Sequence, residues 1–253
     1  MLIRDGVELF YTEAGSGEPP VLLVHGWTCD HTAMAPLSTY FRRGHRVVSV
    51  DLRGHGQSDK PEQEYSMAVF ADDLAWMCKE LGLEKPIVIG HSMGGVIAVA
   101  LAARFPDLPS AVVTLDSPVL PSPALLDRVR PLGEQFRSPT FREIQGKFVD
   151  GMFLPTDNAE RKARIKAGMI NTPQHVAVSA FENVFKDSEA AARGCKVPLL
   201  VLDSTESLSD LARLREVCPQ VITGQTVGAG HFHQLEVPEQ ITAMVERFLS
   251  IAL

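Results

Sequence analysis

The stretch IVIGHSMGGVIAVAL, residues 87–101, places a strand, a glycine-pinched serine and a helix in direct succession. Ile87-Val88-Ile89 is a short β-branched run, Val96 to Leu101 is apolar throughout, and Gly90-His91-Ser92-Met93-Gly94 joins them. A bare G-x-S-x-G is also an ordinary glycine-rich turn, but between a buried strand and a helix it reads as a nucleophile elbow. The chemistry needs that shape. A serine on a sharp turn stands clear of the sheet, and the N-terminus of the following helix favours negative charge nearby. Gly90, Gly94 and Gly95 remove Cβ atoms where helix and strand approach closely.

Outward from the elbow, strand and helix signals alternate. Asp5-Gly6 is a hairpin turn, after which Val7, Leu9 and Tyr11 alternate with Glu8, Phe10 and Thr12. Val21–Val24 is a continuous apolar run, typical of a strand buried on both faces, and Arg46–Val50 is another that ends at Asp51. Ser66 is placed to cap a helix that buries Phe70, Leu74, Met77 and Leu81, and Gly82 stops it. Ala111–Leu115 is the next strand and ends at Asp116.

From Pro118 to Cys195 the strand signal disappears, and Leu125–Phe136, Phe141–Phe153, Ala159–Ile170 and Val176–Ala191 read as short helices. Alternation resumes with Val197–Leu202, a helix near Leu208–Val217, the strand Val221–Val227 and a last helix from Pro238 that buries Ile241, Val245 and Phe248. This order predicts an α/β protein with a mostly parallel eight-stranded sheet and helices on both faces. Residues 1–117 and 196–253 form its core, and 118–195 form a helical cap inserted after the sixth strand, over the carboxyl ends where sites lie.

Composition narrows the function classes. Apolar residues make up 45% and charged residues 22%, as in ordinary globular domains, and a net charge of −7 argues against nucleic acid or an anionic membrane as partner. No apolar stretch is long enough to span a bilayer, and MLIRDGVELFY has no signal-peptide pattern. The four cysteines (Cys29, Cys78, Cys195, Cys218) form no C-x-x-C pair, which fits reduced thiols and a cytoplasmic location. The expected partner is a small-molecule substrate.

A serine hydroxyl is a weak nucleophile until a base takes its proton. His231, in the glycine-rich turn Gly228-Ala229-Gly230-His231-Phe232 between the last strand and the last helix, is the candidate base. His233 reads as a core or surface residue. His231-x-His233 lacks a third ligand at recognisable spacing, so no metal is expected, and no cofactor. An oxyanion hole needs backbone N–H groups aimed where charge develops. Met93, just after the serine, supplies one, and Trp27 in His25-Gly26-Trp27, after the first buried strand, supplies the second. Phe148, Met152, Phe153 and Leu154 suggest an apolar pocket roof.

HGW at 25–27, DLRGHGQS at 51–58, GHSMGG at 90–95 and GAGHF at 228–232 resemble the α/β-hydrolase superfamily in matching order over nearly the whole chain. The resemblance implies the α/β-hydrolase fold, with Ser92 early and His231 late as nucleophile and base, and Asp51, Arg53, Gly54 and Gly56 shaping a structural loop. The chain departs from the family at the acid. Most members carry it in a Gly-x-x-Asp after the strand matching Val197–Leu202, where this chain reads Asp203-Ser204-Thr205-Glu206-Ser207. A minority take the acid from the end of the preceding strand, the place of Asp116. Asp116 is therefore the expected acid, with Glu206 as the alternative.

The resemblance implies a serine hydrolase that cleaves a small ester or lactone through a Ser92 acyl-enzyme. Haloalkane dehalogenases and epoxide hydrolases of this scaffold use an aspartate where this chain has Ser92. Carbon–carbon bond hydrolysis is a neighbouring chemistry, though much of that group has Asn where His91 stands. A second class is cofactor-independent dioxygenation, because HGWTCDH at 25–31 resembles the loop of bacterial 2,4-dioxygenases of hydroxy-oxoquinolines. Those enzymes place histidine after the elbow serine, where this chain has Met93. A third is a ligand receptor that keeps the fold without turnover, favoured only by the displaced acid.

Overall fold

The computed structural model describes all 253 residues. Strands β1 (Leu2–Arg4) and β2 (Val7–Leu9) pair only with each other. The main sheet holds seven strands: β3 (Tyr11–Ala14), β4 (Val21–Val24), β5 (Val47–Val50), β6 (Ile87–His91), β7 (Ala111–Leu115), β8 (Leu199–Asp203) and β9 (Val221–Gln225). Their spatial order is β3-β5-β4-β6-β7-β8-β9, parallel except for the antiparallel edge pair β3 and β5. The expected eight-stranded sheet is thus seven strands with a separate hairpin, and the cap follows the seventh strand of the chain rather than the sixth. The alternating run from Val7 to Thr12 splits at Phe10. Its carbonyl accepts from Asp51 N–H at 2.9 Å, in register with the β3–β5 pair, but its N–H donates to Ser58 Oγ at 2.8 Å in place of the next ladder bond.

Both faces of the sheet are covered, which is why the inner strands β4 to β8 are buried at every position and read as near-continuous apolar runs. Val21, Leu23, Ile87, Ile89 and Val113 pack with Leu37 and Phe41 of α1 (Ala35–Phe41) and with Ile241, Val245 and Phe248 of the C-terminal helix. Leu22, Val24, Val88 and Val112 face the other way, toward α2 (Met67–Leu81) and α3 (Met93–Arg104). Ser66 caps α2 by accepting from Val69 N–H at 3.3 Å, and Gly82 ends it in the left-handed region at φ 62°.

Between β7 and β8 come α4 (Pro123–Phe136), α5 (Phe141–Asp150), α6 (Ala159–Met169), α7 (Gln174–Asn183) and α8 (Ser188–Gly194). The single helix expected over Val176–Ala191 is two, broken before Asp187, whose φ is 56°. Helix α8, read from the sequence as cap, lies along α3, where a Cβ on Gly194 would come 2.7 Å from Ala103 Cβ. Helix α7 is tied to the core below it. Trp27 Nε1–H donates to Ala177 O at 2.8 Å, Tyr65 N–H to Ser179 Oγ at 2.9 Å, and Thr172 Oγ1, just before α7, to Thr28 O at 3.2 Å. The chain then continues through β8, α9 (Leu211–Val217), β9, the short α10 (His233–Glu236) and α11 (Pro238–Ala252). No helix is long and apolar enough to cross a membrane.

Candidate active site

Ser92 has φ 52° and ψ −120°, a conformation that costs a non-glycine residue free energy and must be held by its surroundings. Its N–H donates to Leu115 O at 2.8 Å, and its carbonyl accepts from Gly95 N–H at 3.0 Å. Close packing supplies the rest. A Cβ on Gly90 would overlap the carbonyl of Gly94, one on Gly94 those of Val24 and His25, and one on Gly95 the hydroxyl of Ser117. Met93 opens α3, and Trp27 follows β4, the strand beside β6. The backbone N–H groups of Met93 and Trp27 have no acceptor in the protein. The Trp27 indole stacks on Phe136 at 5.5 Å and also lines the cavity.

Asp116 directly follows β7, the neighbour of β6, also at positive φ (45°). Its Oδ2 lies 2.6 Å from Nδ1 of His231, and its Oδ1 accepts from Ser204 N–H at 2.8 Å. Burial alone would push this carboxyl up, but the hydrogen bond and charge of His231, with His233 and the Ser204 N–H, hold it below its ordinary value. An ionised Asp116 accepting from Nδ1–H leaves Nε2 of His231 as the basic nitrogen. Glu206 lines the same cavity but is exposed and makes no hydrogen bond to His231. Ser204, which stands where the family has glycine, contributes the backbone donor that orients Asp116. No side-chain pattern announces such a role.

The His231 loop is gripped from two sides. His91 donates from Nε2 to the His231 carbonyl at 2.9 Å, with ring centroids 4.7 Å apart. Burial, then the neighbouring His231, depress the His91 pKa far below its ordinary value, so the ring is a neutral strut. From the cap, the Met152 carbonyl accepts from His231 N–H at 3.3 Å, and Phe153 stacks on Phe232 at 5.3 Å. His233 is a core residue within hydrogen-bond distance of Thr226 Oγ1 (3.0 Å), its pKa pushed down to about 4 chiefly by burial.

Asp51, Arg53, Gly54 and Gly56 lie outside the cavity. Asp51 accepts from His31 N–H at 2.7 Å and Gln57 N–H at 2.8 Å, and Arg53 forms a two-pronged pair with Asp73 at 2.7 and 2.8 Å. The buried His25 accepts from Leu52 N–H through Nε2 at 3.0 Å, which fixes the HGW loop against this one.

Ser92, Met93, Trp27, Asp116 and His231 all line one cavity of about 510 Å³. Phe148, Met152, Phe153 and Leu154 line it from the cap, as expected. A serine hydroxyl sharing a cavity with an oriented imidazole–carboxylate pair, with two free amides in the segments that follow neighbouring strands, has the groups needed to attack a carbonyl and hold the oxyanion that forms.

The chain matches the alpha/beta hydrolase fold family over residues 19–238 and belongs to it. It is 30% identical to the 2-(acetamidomethylene)succinate hydrolase of Mesorhizobium japonicum, over 96% of this chain and 92% of that protein. Among solved structures, a thermophilic esterase from Thermogutta terrifontis superposes with a TM-score of 0.84 at 27% identity, covering 97% of this chain and 94% of the other. The enol-lactonase from Burkholderia xenovorans LB400 superposes with a TM-score of 0.85 at 25% identity, covering 97% and 98%. The family places this chain among hydrolases.

Proposed function

We propose that this protein hydrolyses small esters or lactones through an acyl-enzyme on Ser92. The observation that carries the reading is the 2.6 Å contact between Asp116 and His231 in the cavity lined by Ser92. The similarity to an esterase and an enol-lactonase supports this substrate class.

In the first half-reaction Ser92 Oγ bonds to the carbonyl carbon while His231 Nε2 takes its proton. The carbonyl π electrons move onto oxygen, and the resulting oxyanion accepts from the Met93 and Trp27 N–H groups. Asp116 stays ionised and stabilises the imidazolium. When the carbonyl re-forms, the C–O bond to the leaving alcohol breaks, and His231 returns the proton to that oxygen. Water then repeats the sequence on the acyl-enzyme. His231 takes one of its protons, hydroxide adds to the carbonyl, and Ser92 leaves reprotonated with release of the acid. In a lactone the leaving alcohol stays tethered, and the product is a hydroxy acid or its tautomer.

Covalent labelling with a fluorophosphonate, beside turnover of short-chain esters and lactones, tests the reading. Labelling and turnover that both vanish in Ser92→Ala are expected. A folded protein that neither labels nor turns over any of these substrates overturns it, and oxygen uptake with a heteroaromatic substrate would favour the dioxygenase alternative.

A further inference from the structure

The charged lining of the cavity is uneven. Besides Asp116 and His231, three charged side chains reach it: Arg128 of α4 and Lys147 of α5 from the cap, and Glu206 from the loop after β8. Lys147 is already engaged by Glu143, one turn away, at 2.7 Å. Arg128 has neither an ion pair nor a hydrogen-bond partner, whereas on and beside the same helix Arg130 meets Asp127 at 3.7 Å and Arg137 meets Glu182 at 2.8 Å.

The position of Arg128 sharpens the point. Leu125, Arg128, Val129 and Leu132 are spaced i, i+3, i+4 and i+7, and all four line the cavity, so they mark the face that α4 turns toward it. Three are apolar, and Leu125 and Val129 are buried. A guanidinium in this row interrupts the apolar roof with a fixed positive charge that no protein carboxylate neutralises. Ligand cavities of this kind are largely apolar, with a few polar groups that set orientation. A planar fork of N–H donors suits a carboxylate, which it can bind through two parallel hydrogen bonds.

We propose that Arg128 binds a free carboxylate on the substrate, so that the site selects esters or lactones that carry a second, ionised acid group. The proposal rests on the hydrolase reading of Ser92. Arg128 is exposed whereas Ser92 is half-buried, so the bound carboxylate would sit nearer to solvent than the scissile carbonyl.

Two substrate series test the proposal: phenyl half-esters of four- to six-carbon dicarboxylic acids, and acetate esters of short hydroxy acids, each against an uncharged counterpart of equal length. In at least one series kcat/KM should favour the anion by about tenfold or more, the range of one charge-assisted contact near solvent. Arg128→Gln should abolish that preference and leave uncharged esters within about threefold, Arg128→Lys should retain part of it, and added salt should weaken it. Equal turnover of charged and uncharged esters, or an equal loss of both in Arg128→Gln, overturns the proposal.

A binding arm separates this failure from failure of the hydrolase reading. Calorimetry with glutarate and adipate on Ser92→Ala protein should show binding that Arg128→Gln removes. An unaltered protein without any ester turnover overturns the hydrolase reading alone, and Arg128-independent or absent binding of both diacids then overturns this one.

Discussion

Asp116 and His231 stand 115 residues apart in the chain, and Oδ2 of the first lies 2.6 Å from Nδ1 of the second. On the proposed roles, this contact selects the imidazole tautomer that leaves Nε2 free to act as base. Asp116→Asn should lower kcat by about 10³–10⁴-fold with little change in KM, because the amide holds the wrong tautomer. Glu206→Gln should change kcat less than about threefold. Steady-state kinetics on both variants checks the assignment, and the reverse ranking would return the acid to the loop after β8.

The elbow is built on contacts that leave no room for a side chain. Gly94→Ala would drive a methyl into the carbonyls of Val24 and His25, both backbone atoms of a central strand and its loop. Overpacking against backbone should cost about 3 kcal/mol or more. Gly82→Ala, at positive φ but in open space, should cost only about 1–2 kcal/mol. Urea unfolding of the two variants separates close packing from backbone strain.

Trp27 joins cap and core through its indole. Trp27→Phe removes the bond to Ala177 O while keeping an aromatic ring against Phe136, and should cost about 1 kcal/mol. Trp27→Ala should cost about 3–5 kcal/mol and raise KM as the roof loosens. Denaturation midpoints together with KM for one ester check both.

Glu236 carries a pH dependence. Burial first, then the neighbouring Asp157, push its pKa from an ordinary 4.5 up to about 7, although it also accepts from Gly230 N–H at 3.2 Å and lies near Arg161. As pH rises through about 4.5 the unfolded chain ionises while the folded one keeps its proton, so native stability is lost progressively up to about pH 7 and not further above it. Glu236→Gln mimics the protonated acid, with an oxygen to accept from Gly230 and an NH₂ to donate to Asp157. The Tm advantage of this variant should be small below pH 4.5, grow to about pH 7 and then stay level. A pH-independent difference in thermal melts would show that Glu236 is not the titrating group.

The elbow and the layering were legible because their signals are local. Ile87 to Leu101 states its strand, turn and helix in consecutive residues, and the buried runs Val21–Val24 and Ala111–Leu115 can lie only in a sheet covered on both faces. Phe10 was illegible for the opposite reason. Its pattern continues a strand, and only the distant Ser58, whose hydroxyl takes its N–H, interrupts the ladder. The same holds for residues 188–194, where helical character is local but the choice of α3 over the cap depends on which surface is free.

By itself the sequence determined that a serine stands on a glycine-lined turn ahead of a helix, that a histidine follows the last strand, and that a run of short helices interrupts the alternation. These are properties of neighbouring residues, set by local sterics and periodicity. Only the tertiary structure decided that Asp116, and not Glu206, meets His231, that Ser204 and His91 hold the pair through backbone-directed hydrogen bonds, and that Arg128 looks into the cavity unpaired. Each of those depends on distances between strands and helices far apart in the chain, fixed when the sheet buries both faces and closes its carboxyl edge beneath the cap.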